Sequence, residues 1–246
     1  MRRTLLALTL ASSTFIVAAC NGGSSDAPTP TTNTSASTTK SVRGVAAVGA
    51  AIQNANVSMK CMEGHPATTT TDSTGHYSIE VTDQSAPCLL AVNGGSVNGS
   101  ANIQVLHSAA TSTDTVANIS PLTELALADA MHMEPGAAYE LLSASLADKL
   151  NNAALTDAQN VINSQMIALR TAAAQTKLDD YFTGNLDAGN PSNPLDLFLE
   201  DIGKGLEKTD VPLSALVAVL TVDGSLSAFV NAALEANAGG SSSQKP

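Results

Sequence analysis

Thr70-Thr71-Asp72-Ser73-Thr74-Gly75-His76-Tyr77-Ser78-Ile79-Glu80-Val81 joins a turn to an alternating run. Asp72 to Gly75 supply the turn, because an aspartate bonds its own backbone two residues on and a glycine takes φ > 0 at no steric cost. From Tyr77 the side chains alternate, with Tyr77, Ile79 and Val81 on one face and Ser78, Glu80 and Thr82 on the other. That pattern predicts a half-buried strand leaving a turn. Moving outward, short apolar or alternating runs recur about every 8–12 residues between turn signals, the spacing of an all-β sandwich. The predicted strands are 42–48, 55–62, 67–71, 77–82, 88–92, 100–107 and 115–119. Residues 88–92 are continuously apolar, as suits a central strand, and Asn93-Gly94 is a hairpin signal.

Beyond Ile119 the period becomes helical. Ser120 is a cap, Pro121 a first-turn proline and Glu124 a first-turn acid, and Pro135-Gly136 should end that helix. Tyr139, Leu142, Leu146 and Leu150 form a stripe at helical spacing. Thr156-Asp157-Ala158-Gln159 reads as a capping box, followed by Ala158, Ile162, Met166, Leu169 and Ala173 down one face. Asn193-Pro194 opens another helix carrying Leu195, Phe198, Ile202 and Leu206. The run within 211–222 is ambiguous between buried helix and strand, and helix is preferred. Ser225 caps the last helix, with Leu226, Phe229, Ala233 and Leu234. With no Trp and 3% aromatics, the core must be built from Leu, Ala, Val and Met.

The N-terminus has the features of an export signal. Arg2 and Arg3 precede an apolar stretch, 5–17, that is too short to span a bilayer, and Val17-Ala18-Ala19-Cys20 closes it. This resembles the lipobox of bacterial lipoproteins. The resemblance implies cleavage before Cys20, acylation of its thiol and, with Asn21 rather than Asp next, sorting to the outer membrane. A plain secretory signal cut after Ala19 is the alternative. Residues 21–41 are Gly, Ser, Thr and Pro with little to bury, which predicts a flexible spacer. Removing residues 1–19, which hold two arginines and no acid, takes the net charge from −11 to −13. Such acidity argues against nucleic acid as a partner. With Cys20 assigned to lipid, Cys61 and Cys88 remain, and in an oxidising compartment they should form a disulfide, two free thiols being the alternative.

The order Gly44-x-Val, Ile52-x2-Ala55-x-Val57, Thr71-Asp72-x2-Gly75-x-Tyr77 and Pro87-Cys88-x-Leu90-x-Val92 resembles the carboxypeptidase regulatory-like domain. A closer likeness is to proteobacterial envelope proteins that continue with Leu106-His107-Ser108 and Asn118-Ile119-Ser120-Pro121-Leu122-Thr123-Glu124-Leu125. The resemblance implies a prealbumin-like β-sandwich acting as a folding module rather than a peptidase, and it supports pairing Cys61 with Cys88. The expected class is α+β, an N-terminal antiparallel prealbumin-like β-sandwich followed by a C-terminal helical bundle. The expected parts are a signal peptide (1–19), Cys20 and linker (20–41), sandwich (42–119), helical domain (120–238) and disordered tail (239–246).

Reaction chemistry is hard to find. His65, His76, His107 and His132 stand apart, with no metal-ligand spacing among them. Met131-His132-Met133 has ligands soft enough for copper, but on a helix the three diverge. No nucleophile elbow or phosphate loop occurs. Asp179 with Asp180, and Asp196 with Glu200 and Asp201, read as solvated faces. Asp187, Asn190 and Asn193 offer oxygens to calcium but lack an EF-hand order. The expectation is a lipid-anchored envelope protein without catalytic residues, cofactor or metal. It would act as a binding, adhesion or structural module, attached to the membrane through its lipid and meeting a protein or glycan partner. Alternatives are an accessory subunit of a secreted enzyme or surface assembly, or a hydrolase with an inter-domain site.

Overall fold

The computed structural model describes residues 40–170 and 178–239. The expected signal peptide, Cys20, nearly all of the linker, Ala173 and the tail from residue 240 lie outside the described residues. The chain is α+β, with antiparallel-rich sheets first and helices after.

Among the described residues nine strands precede the helices: β1 (Ser41–Val45), β2 (Asn56–Glu63), β3 (Ala67–Thr70), β4 (His76–Glu80), β5 (Ser85–Asn93), β6 (Ser96–Val97), β7 (Ser100–Ala101), β8 (Leu106–Ala110) and β9 (Thr115–Val116). One sheet runs β4-β1-β9, antiparallel between β1 and β4 and parallel between β1 and β9; a second runs β3-β2-β5-β8 and is antiparallel throughout, and β6 pairs with β7 as a two-stranded third. Val42, Tyr77 and Ile79 from the first sheet share one buried cluster with Val57, Met59, Leu90 and Val92 from the second. Leu89 and Ala109 face the other way and join the helical cluster. Thus β5 is covered on both faces, which is why 88–92 has no polar alternation. Cys61 and Cys88 sit opposite each other in the β2–β5 ladder and are joined as a disulfide.

The single strand expected at 100–107 is instead two. Asn98 and Gly99 both have positive φ (51° and 80°) and close the tight hairpin between β6 and β7. The Asn102 amide then donates to Gly94 O and Gln104 O, both at 3.0 Å, and pairing resumes only at Leu106. Gly44 has a separate constraint: a Cβ there would collide with the carbonyl oxygen of Ala117, so β1 and the end of β9 can approach only with glycine.

Among the described residues seven α-helices follow: α1 (Pro121–Met131), α2 (Pro135–Glu140), α3 (Ala144–Ala147), α4 (Asn152–Met166), α5 (Pro194–Thr209), α6 (Leu213–Leu220) and α7 (Ser227–Gly239). Ser120 caps α1 as predicted, but Thr123 closes the reciprocal capping box, its hydroxyl accepting Ser120 N at 2.9 Å. Helix α1 ends earlier than predicted because His132 turns left-handed, φ 49°. Pro135 begins α2 rather than ending α1.

The stripe Tyr139, Leu142, Leu146, Leu150 does not lie on one helix. The Ser143 carbonyl accepts Leu146 N and Ala147 N, starting α3 afresh and leaving Leu141 63% exposed. The capping box predicted at Thr156 lies inside α4, whose cap is Asn151 Oδ1 accepting Ala154 N at 3.0 Å. Its predicted apolar face is nonetheless buried at Ala158, Ile162, Met166 and Leu169. Asn193 caps α5 through Asp196 N at 2.9 Å with Pro194 at the first position, as predicted. The ambiguous run 211–222 contains α6, and Ser225 Oγ accepts Ser227 N at 3.2 Å ahead of α7. Among the described residues no helix is long and apolar enough to cross a membrane.

Candidate functional site

The turn that begins β4 is held by one carboxylate oxygen. Asp72 Oδ1 accepts Thr74 N at 2.8 Å, the Thr74 hydroxyl at 2.7 Å and His76 N at 3.0 Å, while Gly75 takes φ 81°. The Thr74 hydroxyl holds the Asp72 carboxyl below the usual carboxylate range. Thr74 Oγ1 also lies 2.9 Å from His76 Nδ1. Its one proton already goes to Asp72, so the ring donates from Nδ1 and the neutral imidazole keeps its lone pair on Nε2.

Strand register places His76 opposite Val45 and Ser78 opposite Arg43, on the face of the three-stranded sheet turned away from the cluster of Val42, Tyr77 and Ile79. A loop from the helical half crosses this face. Asn118 N donates to Phe182 O at 2.6 Å, the Asn118 amide donates to Gly184 O at 2.8 Å, and its Oδ1 accepts Val45 N at 3.2 Å. Asp180 shapes the loop by accepting Phe182 N and Thr183 N through Oδ1 and the Gln159 amide through Oδ2. Gln159, in the misread capping box, also accepts the Tyr181 backbone N–H.

Between sheet and loop runs a groove of about 740 Å³, edged by Arg43, Thr69, His76, Ser78, Thr183 and Asn185 among others. Arg43 is half exposed and meets Asp114 at 3.3 Å; an exposed pair of this kind is worth at most about 1 kcal/mol, so the guanidinium can turn to a ligand. The side chains of Thr69, Ser78, Thr183 and Asn185 make no hydrogen bond to another described residue. The groove therefore offers hydroxyls, an amide, a cation and an imidazole acceptor. Asp72, its carboxyl held below the usual range, commits Oδ1 to the turn.

The remaining candidates have other tasks. His107 and Glu124 are both about nineteen-twentieths buried. Glu124 Oε2 accepts His107 N at 2.5 Å and lies 3.0 Å from Nδ1, while the Thr123 hydroxyl donates to His107 O at 2.8 Å. Glu124 is the first-turn acid of α1, as predicted, and it also bonds α1 to β8. His65 is exposed and 2.6 Å from Asp83, which raises its affinity for a proton. His132 lies 3.3 Å from Asp223, and Met131 is in the helical core, so the Met-His-Met triplet does not converge.

The solvated-face reading of Asp196 and Asp201 is corrected: they are 0% and 8% exposed. Asp196 sits in the first turn of α5, where Oδ2 accepts Gly189 N at 3.0 Å and Oδ1 has no partner among the described residues. Burial pushes its carboxyl up to about 6. Asp187 and Asn190 bond each other at 2.6 Å, and Asn193 spends its oxygen on the helix cap. Among the described residues no three His, Cys, Asp or Glu side chains gather as a metal site. Cys20 lies outside the described residues, and Cys61 and Cys88 are structural.

Comparison of the chain with family models, curated proteins and solved structures returns no match.

Proposed function

We propose that this chain is a lipid-anchored protein of the bacterial outer membrane. In this reading the folded part is a non-enzymatic binding module, a prealbumin-like sandwich with a helical bundle behind it. The groove between the three-stranded sheet and the 180–186 loop is its binding site, and its ligand is a polar polymer of the envelope, a glycan bearing carboxylates.

The anchor rests on the Val17-Ala18-Ala19-Cys20 pattern, with its basic and apolar segments ahead of it. The binding role rests on one observation: the groove brings unpaired hydroxyl and amide side chains together with Arg43 and the lone pair of His76 Nε2. Hydroxyl-rich ligands exchange hydrogen bonds with such groups, and a guanidinium pairs with a carboxylate. The paired acid and histidine that general acid–base chemistry would use, Glu124 and His107, are instead bonded between β8 and α1.

Calorimetric titration of the purified protein with an acidic envelope polysaccharide tests the binding role. Arg43→Ala with His76→Ala should weaken binding by about tenfold or more, each lost charged or hydrogen-bonding contact being worth about 1 kcal/mol. Unchanged affinity in that double variant would rule out the groove.

A further inference from the structure

Ile103 and Val105, between β7 and β8, are 93% and 46% exposed. They edge a cleft of about 450 Å³ whose other apolar walls include Leu213 and Val217 of α6 and whose acids are Glu124 and Glu134. A second cleft, of about 410 Å³, shares Gln104, Pro212 and Leu213 with the first and adds Glu207 and Asp210. Through these three shared residues the two clefts adjoin as a groove, whose apolar lining includes Ile103, Val105, Leu206 and Leu213. Its lining includes four carboxylates and neither a lysine nor an arginine. Glu134 is exposed and uses Oε2 to cap α2, accepting Ala137 N at 2.7 Å.

We infer that this groove docks a basic amphipathic segment of a partner protein. Lysine or arginine stems would lie along Val105 and Leu213 while their charged ends reach Glu134 and Asp210, the arrangement in which long cationic side chains bury their methylenes and keep their heads on acids. A second copy of this chain is a poor occupant, because it carries the same net negative charge. The groove is a different surface from the one proposed for the glycan, so either can fail alone.

Fluorescence anisotropy with the full-length chain and a labelled Lys/Leu amphipathic peptide tests this, with the matching Glu/Leu peptide as the second probe. The lysine peptide should bind, more weakly as salt rises, and the glutamate peptide should not. Glu134→Gln with Asp210→Asn should weaken binding by about tenfold, from two charge pairs of roughly 0.7 kcal/mol each. Glu235→Gln removes a charge outside both clefts and should leave affinity unchanged. Ile103→Ser changes a side chain almost wholly in solvent, so it should fold normally and still weaken binding. Equal binding of the two peptides, no binding of the lysine peptide, affinity unaltered by the groove variants, or self-association that excludes the peptide would each overturn the proposal.

Discussion

Asp72 shows how far one side chain reaches. Its Oδ1 holds the turn, orients Thr74 and so sets the tautomer of His76. Asp72→Ala should destabilise the fold by about 1 kcal/mol, the net value of a typical hydrogen bond, since water screens this exposed turn. Because the folded carboxyl titrates lower than the unfolded one, this contribution is present above the unfolded value of about 3.9 and is lost as pH falls through the folded value. Urea unfolding should therefore show a gap between wild type and variant at pH 7 that closes in acid. This residue was legible because an Asp-x-Thr-Gly turn is local chemistry. The His107–Glu124 pair was not, because it is made when β8 meets α1, and no local pattern states which helix a strand histidine will face. Glu124 looked like an ordinary first-turn acid for the same reason.

At the scale of elements, strands were read better than helices. Alternation placed β4, and the unbroken apolar run placed β5, because burial on one face or two leaves its period in the sequence. The helical stripe from Tyr139 to Leu150 misled because spacing does not reveal a cap: Ser143 interrupts the helix, and Asn151 takes the cap that Thr156 seemed to offer. Asp196 misled too, its buried place in α5 depending on a loop that folds back to donate Gly189 N.

Asp196 is pushed up to about 6, so its protonation favours the folded state. Stability from this group is fully present below the unfolded value of about 3.9 and is lost as pH rises through 6. Asp196→Asn should remove that dependence, and urea midpoints at pH 5 and pH 7 should lie closer together in the variant than in wild type; an unchanged spacing would refute the assignment. The disulfide joins β2 to β5 across the loop from Cys61 to Cys88. Replacing both cysteines with serine should cost about 3 kcal/mol by the loop-entropy estimate for a closure of roughly 26 residues, seen as a lower denaturant midpoint under non-reducing conditions.

For the whole molecule, the α+β order of sheets then helices was legible from the change of period after Ile119. The groove was not, since it joins Arg43 and His76 to Thr183 and Asn185 over more than half the chain. The two proposed surfaces would give the folded part separate tasks, a polar ligand at the sheet and a basic partner at α6, and the proposed setting for both is the envelope. That placement depends on Cys20. Growth of the native host with radioactive palmitate, followed by recovery of the wild-type chain and of Cys20→Ala, measures it directly. The label should be on the wild-type chain and absent from the variant; label retained by Cys20→Ala, or missing from wild type, would contradict the anchor and the setting in which both surfaces act.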